Sequence, residues 1–210
     1  LRERIERLRQ AGYGRWEVAN LAGLSYLGDG RDLDLAAGWP LYVLNRLAAE
    51  ALRALGFSSV TCSPEDGRDN LAALLPALGP TARVIVYQDT PLAISAVCAF
   101  ASAGTCTGKR DECPAGTMQL ESRRGDRLIV INDHCQSIVL NHAPLCWSRH
   151  VDELVGMGAR RLRAEFAWRG YTPATVAGLW ERLRRGEPID QTHEANWKRG
   201  LSPTAAATEP

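Results

Sequence analysis

Apolar positions along the chain switch repeatedly between two periods. Leu1, Ile5 and Leu8 recur at helical spacing, and Gly12 and Gly14 close that segment. Residues 16–21 (WEVANL) then read as a short buried strand. A Gly/Asp-rich turn follows, and residues 40–45 (PLYVLN) read as a second strand. The next helix carries apolar Leu47, Ala51, Leu52 and Leu55 up to Gly56. A third strand (59–62), a helix around 71–78 and a fourth strand (83–87) continue the rhythm. From 98 to 127 it breaks into a stretch rich in Cys, Gly, Thr and charge. Two apolar runs, 128–131 and 137–140, then read as strands joined by residues 132–136, a hairpin. The alternation resumes with a helix at 151–157, a strand at 161–166 and a helix at 173–185 that has Pro in its first turn.

Strands alternating with helices predict an α/β fold built on a parallel sheet. Five β/α steps are too few to close an eight-stranded barrel, which takes about 250 residues. The expectation is therefore either an open sheet or a partial (β/α)8, TIM-barrel-like fold. Residues 1–186 form the incomplete barrel, with a Cys-containing loop and hairpin inserted at 98–140. Residues 187–210 are expected to be a polar, disordered tail. An incomplete barrel exposes sheet edges, so self-association or a missing N-terminal half is expected. The chain also begins without Met, which suggests a fragment of something longer.

Composition narrows the class without naming a function. The 210 residues are 45% hydrophobic and 23% charged, enough apolar content for a real core. A net charge of +1 gives no whole-chain basic field of the kind that marks nucleic-acid binding. No apolar run approaches the ~18 residues of a membrane span, and the N-terminus has no signal-peptide hydrophobic region. Six cysteines are too sparse for a disulfide scaffold, so a cytoplasmic address with reduced thiols is expected.

The cysteines carry the strongest chemical signal. Cys98, Cys106 and Cys113 lie in loop-like sequence among Gly, Thr and charged residues, and Cys135 lies at the hairpin tip. Burial in a core suits Cys62 and Cys146 but not these four. Four thiolates can hold an iron–sulfur cluster or zinc. Zinc sites favour paired Cys-x-x-Cys knuckles, which the chain lacks, so the loose spacing points first to a cluster. Zinc is the alternative, and disulfides or free thiols the third reading. His134, His142 and His150 form no metalloprotease pair, and no nucleophile elbow, phosphate loop or dinucleotide fingerprint is present. Catalytic residues are not assigned. Asn20, Asn45, Glu65, Asn141 and Glu165 fall at strand ends, where such folds face substrate, with capping or turn roles as the alternative.

Several segments resemble, in order from about residue 15 to 185, the C-terminal half of the collagenase-like peptidases of family U-thirty-two. Residues 60–65 (VTCSPE) resemble the family's VTLSPE strand end, and residues 40–45 its preceding strand. Residues 90–98 (TPLAISAVC), 135–145 (CQSIVLNHAPL) and 153–163 (ELVGMGARRLR) resemble three further family segments. In two places the chain departs from the pattern, with His142 at a usual Ser and Ala99 at a usual Pro. The resemblance implies a barrel-like fold and, as in several members, a four-iron four-sulfur cluster on Cys98, Cys106, Cys113 and Cys135. It further implies oxygen-independent hydroxylation of a ubiquinone precursor or an RNA base. The family's older label, peptidase, and a non-catalytic cluster-carrying partner are the alternatives. The expected geometry has the four thiols within about 7 Å of one another and Asn20, Asn45, Glu65 and Cys98 close together.

Overall fold

A computed structural model describes residues 1–28, 32–106 and 116–200. The chain begins with α1 (Arg2–Gln10), β1 (Arg15–Val18), α2 (Leu24–Leu27), β2 (Asp34–Ala37), α3 (Arg46–Ala54), β3 (Phe57–Thr61), α4 (Arg68–Leu78) and β4 (Ala82–Gln88). Next come β5 (Pro91–Ser95), α5 (Ala99–Ser102), β6 (Thr117–Glu121), β7 (Arg127–Asp133), β8 (Gln136–Asn141) and β9 (Leu145–Cys146). The last elements are α6 (Val151–Gly156), β10 (Leu162–Ala164) and α7 (Pro173–Arg184). No helix among the described residues is long and apolar enough to cross a membrane.

These elements fall into two compact units. The first takes in Leu1–Val86, Arg149–Arg163 and the described part of Glu194–Pro210; the second takes in Tyr87–Ser148 and Ala164–His193.

In the first unit, strand order is β1-β2-β3-β4-β10, with β1–β2, β2–β3 and β3–β4 paired in parallel, while the end of β4 pairs antiparallel with β9. The mixed α/β class with a parallel sheet is thus observed, and among the described residues the sheet is open. One face carries Val18, Leu35, Ala37, Val60, Ala82 and Val84, all buried beneath Ala49 and Leu52 of α3 and Leu71, Leu74, Leu75 and Leu78 of α4. The other face is polar. Glu17 of β1 takes hydrogen bonds from both terminal nitrogens of Arg163 on β10, one of them at 3.0 Å, and lies 3.8 Å from Arg83 of β4. A flat sheet would hold its first and fifth strands about 19 Å apart, farther than the two side chains reach together. The ion pair therefore requires a sheet curled around this polar face. Ser59 and Thr61 sit on the same face, their hydroxyls buried with no hydrogen-bond partner among the described residues.

The second unit is built on a four-stranded antiparallel sheet of order β5-β8-β7-β6. Val130, Ser137, Ile138 and Leu140 are its buried positions, while Leu92 and Ile94 of edge strand β5 stay 56% and 63% exposed.

Several expectations are corrected. The second strand is Asp34–Ala37, not 40–45. Pro40 has no N–H to give a ladder and sits in a 3-10 turn, and Tyr42 turns left-handed with φ 51°. Val43 alone keeps a parallel bridge, to Cys62. In α3 the buried residues are Ala49 and Leu52, whereas Leu47 and Leu55 are 71% and 52% exposed. Strands β5 and β6 were not expected at all. The polar stretch after Glu187 is not a loose tail as far as Gly200. Trp197 is 2% exposed, stacks on His150 at 4.2 Å and accepts a hydrogen bond from the Arg68 N–H through its carbonyl. Residues 201–210 lie outside the described residues.

Candidate functional site

Local sequence brings cysteines to one end of the four-stranded sheet. Ser95 at the end of β5 pairs with Ser137 near the start of β8. Cys98 follows the first and Cys135 precedes the second. The Ala99 N–H donates to Ser137 Oγ at 2.8 Å, which ties the residue after Cys98 to the strand that Cys135 opens. Helix α5 is a single turn that begins after Cys98 and is pinned by buried Phe100. Gly104, at φ +72°, closes it with the paired bonds of a Schellman motif: Gly104 N–H to Ala101 and Thr105 N–H to Phe100. The chain leaves that cap at Cys106. Cys98, Cys106 and Cys135 are all half-buried.

The hairpin tip is unusual for its residue types. Asp133 pairs with Gln136, leaving a two-residue turn of His134 and Cys135 with φ of 51° and 67°. Two positive φ values are the pattern of a type I′ turn, which favours Asn-Gly. His and Cys adopt it at a cost of order 1 kcal/mol each. Asn132 Oδ1 accepts the Cys135 N–H at 3.1 Å and so holds the turn, while His134 Nδ1 lies 2.7 Å from Asp133 Oδ1 with its ring in solvent.

Cys113 lies outside the described residues, and among those described no group of three His, Cys, Asp or Glu side chains is gathered to hold a metal ion. The donor set still fits a thiolate-bound centre in kind. Cys98 and Cys135 flank the same end of the β5–β8 pair, Cys106 follows the Cys98 turn, and all three are half-buried, whereas two other thiols are buried in the packing. Cys62 and Cys146 are 1% and 6% exposed, in line with their reading as core cysteines. Burial pushes the Cys62 thiol up to about 12, with the nearby Asp66 carboxyl adding to the shift. That makes it a poor ligand or nucleophile.

The strand-end residues divide by role. Asn20 and Asn45 are helix caps whose side-chain oxygens accept the N–H groups of Ala22 and Ala48, both at 2.9 Å. Asn141 Oδ1 is likewise used within a turn, by the Ala143 N–H. Glu65 takes a 3.0 Å hydrogen bond from the Tyr42 hydroxyl. Cys98 belongs to the second unit and these other three residues, Asn20, Asn45 and Glu65, to the first.

Glu165 belongs to a polar network in the second unit that the sequence reading missed. Gln88, buried at the end of β4, donates to Glu165. Asp89, its side chain fully buried, is paired with Arg169 at 2.5 Å and accepts from the Tyr171 hydroxyl at 2.7 Å. Arg169 also donates to the Asn141 carbonyl at 2.9 Å. Tyr87, Phe166 and Tyr171 cluster with ring centroids 5.1–6.4 Å apart, Tyr171 edge-on to both of the others. Burial, then hydrogen bonds with Tyr87 and Asp89, push the Tyr171 phenol far up, so it stays a donor. The available signal was the Gln88-Asp89 pair placed directly after the apolar run of β4, since polar residues continuing a buried strand need partners.

A polar cavity of about 410 Å³ opens in the first unit beside Arg15, Glu17, Asp34, Arg83 and Arg161. No family model matches the chain, and comparison with curated proteins and with solved structures returned no match.

Proposed function

We propose that this chain is an iron–sulfur protein of the collagenase-like peptidase type, its curled sheet part of a (β/α)8-type barrel. In this reading it serves oxygen-independent hydroxylation of a ubiquinone precursor or an RNA base, in a compartment where thiols stay reduced. Cys98, Cys106, Cys113 and Cys135 would hold a four-iron four-sulfur cluster, which when bound supplies one-electron chemistry. One observation carries the proposal. Cys98 and Cys135 flank one end of a small sheet and, like Cys106, are half-buried, while Cys62 and Cys146 are spent on packing.

This chain's own residues do the holding. The strained His134-Cys135 turn presents one thiol from a rigid hairpin, and the Asn132 side chain keeps it from relaxing. The Schellman cap at Gly104 fixes how the chain leaves the Cys98 turn toward Cys106. In the same unit, Asp89 and Tyr171 hold Arg169 against the end of β8.

Anaerobic reconstitution with iron and sulfide tests the reading. Wild-type protein should bind both and show thiolate-to-iron charge-transfer absorption. Cys98→Ala and Cys135→Ala should lose that absorption, and Cys62→Ala should keep it. Retention of the full iron content in Cys135→Ala, or uptake of zinc alone, would overturn the cluster.

A further inference from the structure

We propose that Trp39, Tyr42 and Glu65 form a binding site for an organic cation, an alkylammonium or guanidinium group. The three residues follow β2 and β3 at their carboxyl ends, where open α/β sheets bind ligands. The site is independent of the cluster, because all three residues lie in the first unit.

The Trp39 and Tyr42 rings stand nearly at right angles, 69° apart with centroids 6.3 Å from one another, so they form two walls of a corner. The Tyr42 hydroxyl donates to Glu65 Oε1 at 3.0 Å, which fixes a carboxylate beside the aromatic wall. Glu65 has no ion pair with Arg, Lys or His among the described residues. Two aromatic faces and an un-neutralised carboxylate attract an organic cation through the ring quadrupoles and direct charge. A divalent metal is a poor fit. Calcium takes about six to eight oxygen ligands and magnesium about six in a strict octahedron, and this corner offers one carboxylate and a phenol.

The backbone points the same way. Tyr42 sits at φ 51° and ψ 58°, the left-handed region, which a bulky residue occupies at a cost of roughly 1–3 kcal/mol. The turn itself is needed, because the next residue, Val43, is fully buried and bridges to Cys62. Gly or Asn would make that turn without the cost. Burial does little to offset the strain either, since Tyr42 is left 48% exposed. The side chain therefore contributes something other than stability of the fold.

The test compares choline with its neutral isostere 3,3-dimethylbutan-1-ol by saturation-transfer NMR on the full chain, at constant ionic strength. Choline should give a saturable signal and bind roughly fivefold more tightly than the alcohol, the scale of an exposed cation–π contact plus a carboxylate. Tyr42→Gly and Glu65→Gln should each weaken that preference, while Tyr42→Gly melts at or above the wild-type temperature. Butylammonium and butylguanidinium, run as separate arms, identify which cation the corner prefers. Equal binding of choline and the alcohol would overturn the site, as would an undiminished preference in Tyr42→Gly or Glu65→Gln. Should Tyr42→Gly not fold, Glu65→Gln decides alone, because its amide keeps the shape and removes only the charge.

Discussion

Cys62 and Cys135 both lie at the end of a strand, and their surroundings could hardly differ more. Cys62 follows β3 in the first unit, 1% exposed, its thiol pushed up to about 12 by burial. Cys135 precedes β8 in the second unit, half-buried, on a left-handed backbone that disfavours it. The contrast extends to the two sheets. Strand β3 is flanked by strands on both sides and has helices over its outer face, so nearly every position is buried. Strand β5 is an edge, and its apolar Leu92 and Ile94 face solvent. The first sheet is organised by packing. In the second, packing is concentrated in a few residues, and backbone strain is accepted at the tip that carries the cysteine.

The strongest way to break this comparison is to show that the second unit has no firm centre of its own. We expect it to have one, at the Asp89–Arg169 pair. Arg169→Met strands a fully buried carboxylate and should cost about 4 kcal/mol in urea unfolding. Adding Asp89→Asn should recover part of that loss. A mild effect from Arg169→Met would mean that the pair is solvated and the second unit soft throughout.

The first unit offers the matching measurement. Leu71 of α4 is 0% exposed, and Leu71→Ala should cost about 3 kcal/mol from lost burial and the cavity left behind. The same scale of loss at exposed Leu92 would erase the distinction between the two sheets.

The hairpin tip should respond in the opposite direction. Replacing the turn by the double substitution His134→Asn, Cys135→Gly supplies the residues a type I′ turn favours. Metal-free protein should gain about 1 kcal/mol of stability, and iron retention after anaerobic reconstitution should fall. A loss of stability would show that His134 and Cys135 are packing residues.

The smallest effect is a pH dependence. The folded-state thiol of Cys62 lies above its ordinary value of 9.0, so its contribution is complete below that pH and fades as pH rises toward about 12. Urea midpoints measured across that range should fall less steeply in Cys62→Val than in wild type. Tyr171, also shifted upward, adds to the decline in both proteins.

Much of the architecture was legible because its cause is local. The apolar runs that became β3 and β4, the leucines of α4 and the Pro-headed α7 carry their period within a dozen residues. Cys62 and Cys146 could be assigned to the core from their local setting, one in a strand and the other just before a helix. What tertiary structure alone decided depends on partners distant in sequence. Strand β5 exists because β8, some forty residues on, supplies its hydrogen bonds. Strand β2 is set by its two parallel neighbours, while Pro40 and the left-handed Tyr42 rule out the more apolar segment beside it. Glu17 and Arg163 meet only because the sheet curls, and Asp89 finds Arg169 across eighty residues. Period and residue type determine which segments become strands or helices. Pairing order and sheet curvature decide which polar side chains meet, because a charge is buried only where a partner from elsewhere in the chain arrives to meet it.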